Sequence, residues 1–150
     1  EKLDVEPDVY VSAHPLELSR VVQNLITNAQ RYGRSDDDVL HLSVSVHREK
    51  HTAVLVVADQ GRGLDMKEAD RVMRPFERGD AARTGVSGTG LGLAIVDRIA
   101  RRSSGTVDLS TTDPHGLTVS IRIPLFNEKK AETEAETAEN AGKNAPSVAI

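Results

Sequence analysis

The chain has 150 residues, 38% of them hydrophobic, which suits one compact domain, and a formal charge of -4 at pH 7. That charge argues against general nucleic-acid binding, which needs clustered Lys and Arg along the phosphate backbone. The lack of cysteine excludes a disulfide scaffold and a thiolate metal site and fits a reducing compartment; no apolar run is long enough to span a bilayer.

No signal peptide opens the chain, and it starts at Glu1 without Met, so it is expected to be a piece of something longer. In chain order, Val9–Val11 reads as a short strand. Pro15 suits the first turn of a helix that runs to about Tyr32 and stops at Gly33. Leu40, Leu42, Val44 and Val46 alternate with His41, Ser43, Ser45 and His47, as in a half-buried strand. Residues 48–51 read as a turn, and 52–58 as a second, more apolar strand. Asp65 with Glu68 forms a capping box for a short helix to about Met73. A Gly- and Arg-rich loop from Phe76 to Ser87 precedes a long helix from about Leu91 to Arg102, with Leu93, Ile95, Val96 and Ile99 as its core face. Val107 and Leu109 mark another strand, 113–116 a turn, and Leu117, Val119, Ile121 and Ile123 a last strand.

This order predicts an α+β fold, a two-layer sandwich with helices on one face of a mixed, mostly antiparallel sheet. The predicted domain covers 1–126. Residues 127–150 are rich in Ala and Glu and have no aromatics, so they bury too little apolar surface to offset ordering and are expected to be a disordered tail.

Three segments carry chemistry. On the first long helix, at about 100° per residue, Leu18, Val21, Val22, Leu25 and Ala29 share one arc. Asn24, Asn28 and Arg31 form a narrower arc beside it. An amide oxygen there can ligate Mg²⁺, and Arg31 can meet phosphate, although such a stripe by itself is more often a solvated helix edge. Asp59 stands at a strand end before Gly61 and Gly63, where a carboxylate can accept the exocyclic amine proton of adenine; alone, it would be an ordinary turn Asp. Seven of the eleven glycines lie between Gly61 and Gly92, more than turns require. They end where a helix opens, a place of unpaired N–H groups suited to phosphate. The glycines from Gly79 to Gly90 suit a loop that closes over nucleotide. Together the three segments point to a Mg-nucleotide site. There is no Gly-x-x-x-x-Gly-Lys-Ser/Thr, Gly88-x-Gly90-x-Gly92 is not Gly-x-Gly-x-x-Gly, and His-Arg-Asp and Asp-Phe-Gly are missing.

These residues resemble the catalytic, ATP-binding domain of two-component sensor histidine kinases, within the superfamily of gyrase, Hsp90 and MutL ATPases. Asn24–Tyr32 is similar to the N box, Asp59–Gly63 to the G1 box, Arg74–Gly79 to the F box and Gly88–Leu93 to the G2 box. The likeness covers about Val9 to Leu125, and the F-box wording is most like membrane-bound osmosensor-type kinases. The resemblance implies a Bergerat-type fold with a flexible ATP lid, and ATP and Mg²⁺ as cofactors. It implies that Asn28 ligates Mg²⁺, that Asn24 assists at the phosphates, that Asp59 reads adenine, and that Gly61, Gly63 and Leu64 belong to the nucleotide site. Arg31 and Tyr32 would line the phosphate and sugar side. Phe76 and Arg78 would anchor the lid, Arg78 reaching the γ-phosphate. Gly88, Gly90 and Gly92 would shape its C-terminal hinge, and Thr89, Leu91 and Leu93 would belong to the nucleotide site. Catalytic roles would fall to Asn24, Arg31 and Arg78.

In gyrase-like relatives a Glu that activates water stands four residues before the Mg-binding Asn. Here that place is Asn24, which cannot act as a general base at neutral pH, so slow hydrolysis is expected. The family's phosphoacceptor His precedes an acidic residue and Arg-Thr-Pro, and none of His14, His41, His47, His51 or His115 has that setting. The expected partners are therefore a dimerisation and phosphoacceptor domain outside this chain and a response regulator. The isolated domain is expected to be a monomer, and the parent a homodimer anchored in the cell membrane with this domain in the cytoplasm. Two other classes stay open: a hydrolytic ATPase of the gyrase or Hsp90 type, and a non-catalytic nucleotide sensor.

Overall fold

The computed structural model describes residues 1–68, 73 and 89–126. Among the described residues five strands form one sheet: β1 (Lys2–Val5), β2 (Leu42–Glu49), β3 (Thr52–Asp59), β4 (Thr106–Thr111) and β5 (Leu117–Pro124), in the spatial order β1-β2-β3-β5-β4. β1 lies parallel to β2, and every other pairing is antiparallel. Helices α1 (Pro15–Tyr32) and α2 (Thr89–Arg102) pack on the sheet. The α+β sandwich expected from the sequence is the observed fold.

Alternation explains the layers. Val57 pairs with Val44 and Val119, and Leu55 with Val46 and Ile121, so one side of each strand presents a continuous apolar row. Val21 and Leu25 of α1 and Leu93, Val96, Ile99 and Ala100 of α2 are buried against Val57, Val119, Ile121 and Ile123. The opposite side of β2, β4 and β5 carries Ser43, Ser45, Asp108, Ser110, Ser120 and Arg122, which suits a face without helices. Glu17 in the first turn and Arg31 in the last turn of α1 complement its dipole. Arg102 of α2 reaches back to Glu17 at 2.8 Å, so the two helices are tied where α1 starts and α2 ends.

Several boundaries differ from the sequence reading. Val9–Val11 is not a strand: Val11 makes a single bridge to Leu125, and the edge strand is Lys2–Val5. Leu40 precedes β2 and bridges Arg34, while Arg48 continues β2 by pairing with Ala53, so the turn narrows to Lys50 and His51. Val22 is exposed, because the buried arc of α1 narrows to Val21, Leu25 and Ala29. Ile95 is half-buried, and α2 begins at Thr89 rather than Leu91. Asp65 Oδ1 accepts from the Lys67 N–H at 2.9 Å above a 3₁₀ turn at Met66–Glu68; the Glu68 side chain of the expected capping box, and residues 69–72 of the expected helix, lie outside the described residues. The 76–87 loop and the 127–150 tail lie outside the described residues.

Candidate nucleotide site

Asp59 is the last residue of β3 and only 9% exposed. Its Oδ1 accepts two backbone N–H bonds, from Gly61 at 3.0 Å and Leu117 at 3.2 Å. These bonds fix the plane of the carboxylate. Its Oδ2 has no partner among the described residues, and no fully buried side-chain oxygen there lacks one, so Oδ2 reaches solvent. Asp59 thus presents one acceptor atom in a set direction.

The backbone around this acid is pressed together. A Cβ on Gly33, the residue that caps α1, would come within 2.7 Å of the Asp59 Cβ, so a glycine lets the helix end reach the strand end. A Cβ on Gly61 would strike the Tyr32 carbonyl. Gly116, at φ +130° in the β4–β5 hairpin, sits against the Asp59 carbonyl, where any side chain would collide with it. His115 closes the same contact, with Nδ1 3.0 Å from the Gly61 carbonyl oxygen, to which it donates in the matching tautomer. Leu64 packs against the core next to this loop, and the Arg62 guanidinium lies 5.1 Å from the Tyr32 ring centroid.

The amides stand at the other end of the site. Asn24 donates through Nδ2 to the Arg20 carbonyl at 2.8 Å, which leaves its Oδ1 free to point away from its own helix. The Asn28 amide makes no hydrogen bond among the described residues and is half-buried. Both meet the first turn of α2: a Cβ on Gly92 would lie 3.2 Å from both terminal atoms of Asn28 and 3.4 Å from Asn24 Oδ1. The amide stripe and the glycine-rich helix start, more than sixty residues apart in sequence, therefore face each other across a space that a Cβ at 92 would fill. Leu93 is buried in the core and anchors that turn. Arg31 is exposed and Tyr32 half-buried, one turn further along α1.

The structure brings Asn24, Asn28 and Gly92 together, and separately Asp59, Gly61, Gly63 and the Tyr32 backbone; α1 links the two groups, Asn28 standing one turn before Tyr32. Phe76, Arg78 and Gly88 lie outside the described residues, as do the side chains of Thr89 and Leu91. Sequence reasoning missed Gly33, His115, Gly116 and Leu117. The last three were read only as a turn and a strand start, and their link to Asp59 spans 58 residues for Leu117.

The family profile described as histidine kinase-, DNA gyrase B- and HSP90-like ATPase matches residues 13–127. The chain belongs to this ATPase family. The sensor histidine kinase WalK of Bacillus subtilis is 31% identical over 124 residues, 82% of this chain and 20% of WalK. The sensor histidine kinase RcsC of Escherichia coli is 32% identical over 125 residues, 81% of this chain and 13% of RcsC. The chain thus spans a fifth or less of these relatives. Among solved structures, the histidine kinase domain of the E. coli osmosensor EnvZ is similar at 37% identity and TM-score 0.60, over 84% of this chain and 75% of that one. The mycobacterial sensor histidine kinase MprB is similar at 27% identity and TM-score 0.68, over 83% and 80%. The ATP-binding catalytic fold of the histidine kinases is therefore the fold of this chain.

Proposed function

We propose that this ATPase-family domain binds Mg-ATP and donates the γ-phosphoryl to a histidine on a dimerisation domain outside the chain, for relay to a response-regulator aspartate. The observation that supports it most is that α1 carries Asn24 and Asn28 against Gly92 and ends, one turn on, against Asp59 through Gly33. Asp59 Oδ2 accepts from the adenine amine; guanine, with an oxygen at that position, is refused. Asn28 Oδ1 would hold Mg²⁺, which would supply positive charge against the phosphates. The Asn28 amide fits this task because its hydrogen bonding is unspent and Gly92 keeps the space beside it clear. Asn24 Oδ1, Arg31 and the first N–H groups of α2 line the phosphates, and Tyr32 the sugar side.

Phosphoryl transfer depends on positioning and charge more than on covalent help from the protein. Asn24 keeps its Nδ2 tied to Arg20, and an amide takes no proton from water at neutral pH. The site therefore holds the γ-phosphoryl for another nucleophile and hydrolyses ATP slowly. Arg78 and Phe76 complete it from the lid in this reading, with Gly88 and Gly90 at its hinge. We take 1–126 as the ATP-binding unit and 127–150 as a tail outside it. The parent protein would be a membrane-anchored homodimer; none of the described helices is long and apolar enough to cross a membrane.

Incubation with γ-labelled ATP tests the reading. The isolated chain should bind ATP and stay unlabelled, then label a separately added acceptor domain from its parent. Stable self-labelling on histidine would contradict it. Rapid hydrolysis that Asn24→Glu does not raise would favour the gyrase-type alternative.

A further inference from the structure

A second concavity, of about 630 Å³, lies between the first half of α1 and the second half of α2. It is separate from the candidate nucleotide site, since Asn28 stands eight residues, about 12 Å along α1, past Arg20. Its lining includes His14, Leu16, Arg20, Ile95, Arg98 and Arg102. Arg102 is answered by Glu17 at 2.8 Å. Arg20 and Arg98 have no acidic partner among the described residues. Leu16 between them is 75% exposed, an uncovered apolar side chain beside two unanswered guanidinium groups. A surface of that kind fits a chain that brings carboxylates and small apolar side chains together.

The chain leaves the fold at this same end. The Phe126 N–H donates to the Tyr10 carbonyl at 2.8 Å, and Leu125 bridges Val11, three residues before His14. Gly105, just after α2, packs on the Arg122 carbonyl and Ile123 of β5. Downstream of Phe126 the sequence reaches Ala131–Glu139, with four glutamates (132, 134, 136, 139), alanines between them, and neither Lys nor Arg. The six residues from Phe126 to Glu132 can reach about 20 Å when extended.

We propose that this groove is the docking site of the chain's own acidic run, residues 131–139. Glutamates pair with Arg20 and Arg98, and alanine methyls cover Leu16. Exposed ion pairs are weak one by one. The tether offsets this by holding the run at an effective concentration on the order of millimolar. The contact is accordingly electrostatic and falls with ionic strength, because the screening length drops to about 3 Å at 1 M salt.

The cysteine-free chain allows a clean test. A spin label on Ala135→Cys in the 150-residue chain should broaden the amide signals of residues 14–20 and 95–102 at low salt, more than those of β4 or the β2–β3 turn. The broadening should vanish near ~1 M salt, vanish in Arg20→Glu/Arg98→Glu, and return when Glu132, Glu134, Glu136 and Glu139 are changed to Lys in that variant. Broadening spread evenly over the surface, or none, would overturn the proposal. So would equal broadening of an isotope-labelled chain by a separate spin-labelled one, which would assign the groove to a second copy.

Discussion

Two buried acids, Asp97 and Asp59, differ in what answers them. Each is 9% exposed. Asp97, in α2, accepts from Arg101 Nε one turn on at 2.8 Å, and that bond pushes the Arg101 guanidinium above its ordinary pKa. Asp59 has no cation beside it among the described residues. It is held by two peptide N–H groups and keeps one oxygen open. A carboxylate paired with a cation of its own helix is part of the scaffold, whereas one held only by peptide N–H groups, with no cation beside it among the described residues, keeps its charge for a ligand.

Substitutions can break this contrast, and the largest effect is expected in the cradle of Asp59. Gly116→Ala places a side chain against the Asp59 carbonyl at a positive φ, so it should cost about 3 kcal/mol or more of stability, through strain and overpacking. Urea unfolding would measure this; an unchanged midpoint would mean the hairpin tip is not pressed on β3.

Asp59→Asn should lower ATP affinity by roughly 100-fold, the order expected when a hydrogen bond to a charged group is lost. It should leave the fold intact, because an asparagine Oδ1 still accepts from Gly61 and Leu117. Calorimetric titration beside thermal melting separates the two effects. Asn28→Ala should weaken Mg-ATP by about tenfold yet change metal-free ATP little, since a lone amide ligand supplies only part of the metal's shell. Binding titrations with and without Mg²⁺ decide this. Asp97→Asn should be the mildest: a slightly lower melting temperature and unchanged ATP affinity. If Asp97→Asn abolished binding while Asp59→Asn did not, the assignment of the two acids would be reversed.

Much of this was legible in the sequence, for physical reasons that differ by element. Pro15 and Gly33 bracket α1 because one pre-sets a helical φ and the other fits where a Cβ has no room. β3 and β5 announce themselves because both are central and apolar. β1 does not: it is four residues long, lies at the sheet edge and leaves Leu3 and Val5 exposed, so Val9–Val11 looked the better strand. In the site, Asn24, Asn28 and Asp59 stood out because their own segments carried the pattern. His115, Gly116 and Leu117 did not, since their role exists only after β4 and β5 bring the hairpin under Asp59, and a Pro-His-Gly turn gives no sign of what it will touch.

The central claim is that acid and amides, supplied by separate segments, serve one nucleotide. A crystal structure with Mg²⁺ and a non-hydrolysable ATP analogue tests it most directly. The account predicts the adenine amine within hydrogen-bond distance of Asp59 Oδ2, and the metal on Asn28 Oδ1 with the phosphates beside Gly92. A nucleotide bound elsewhere, or a metal held without Asn28, would contradict it.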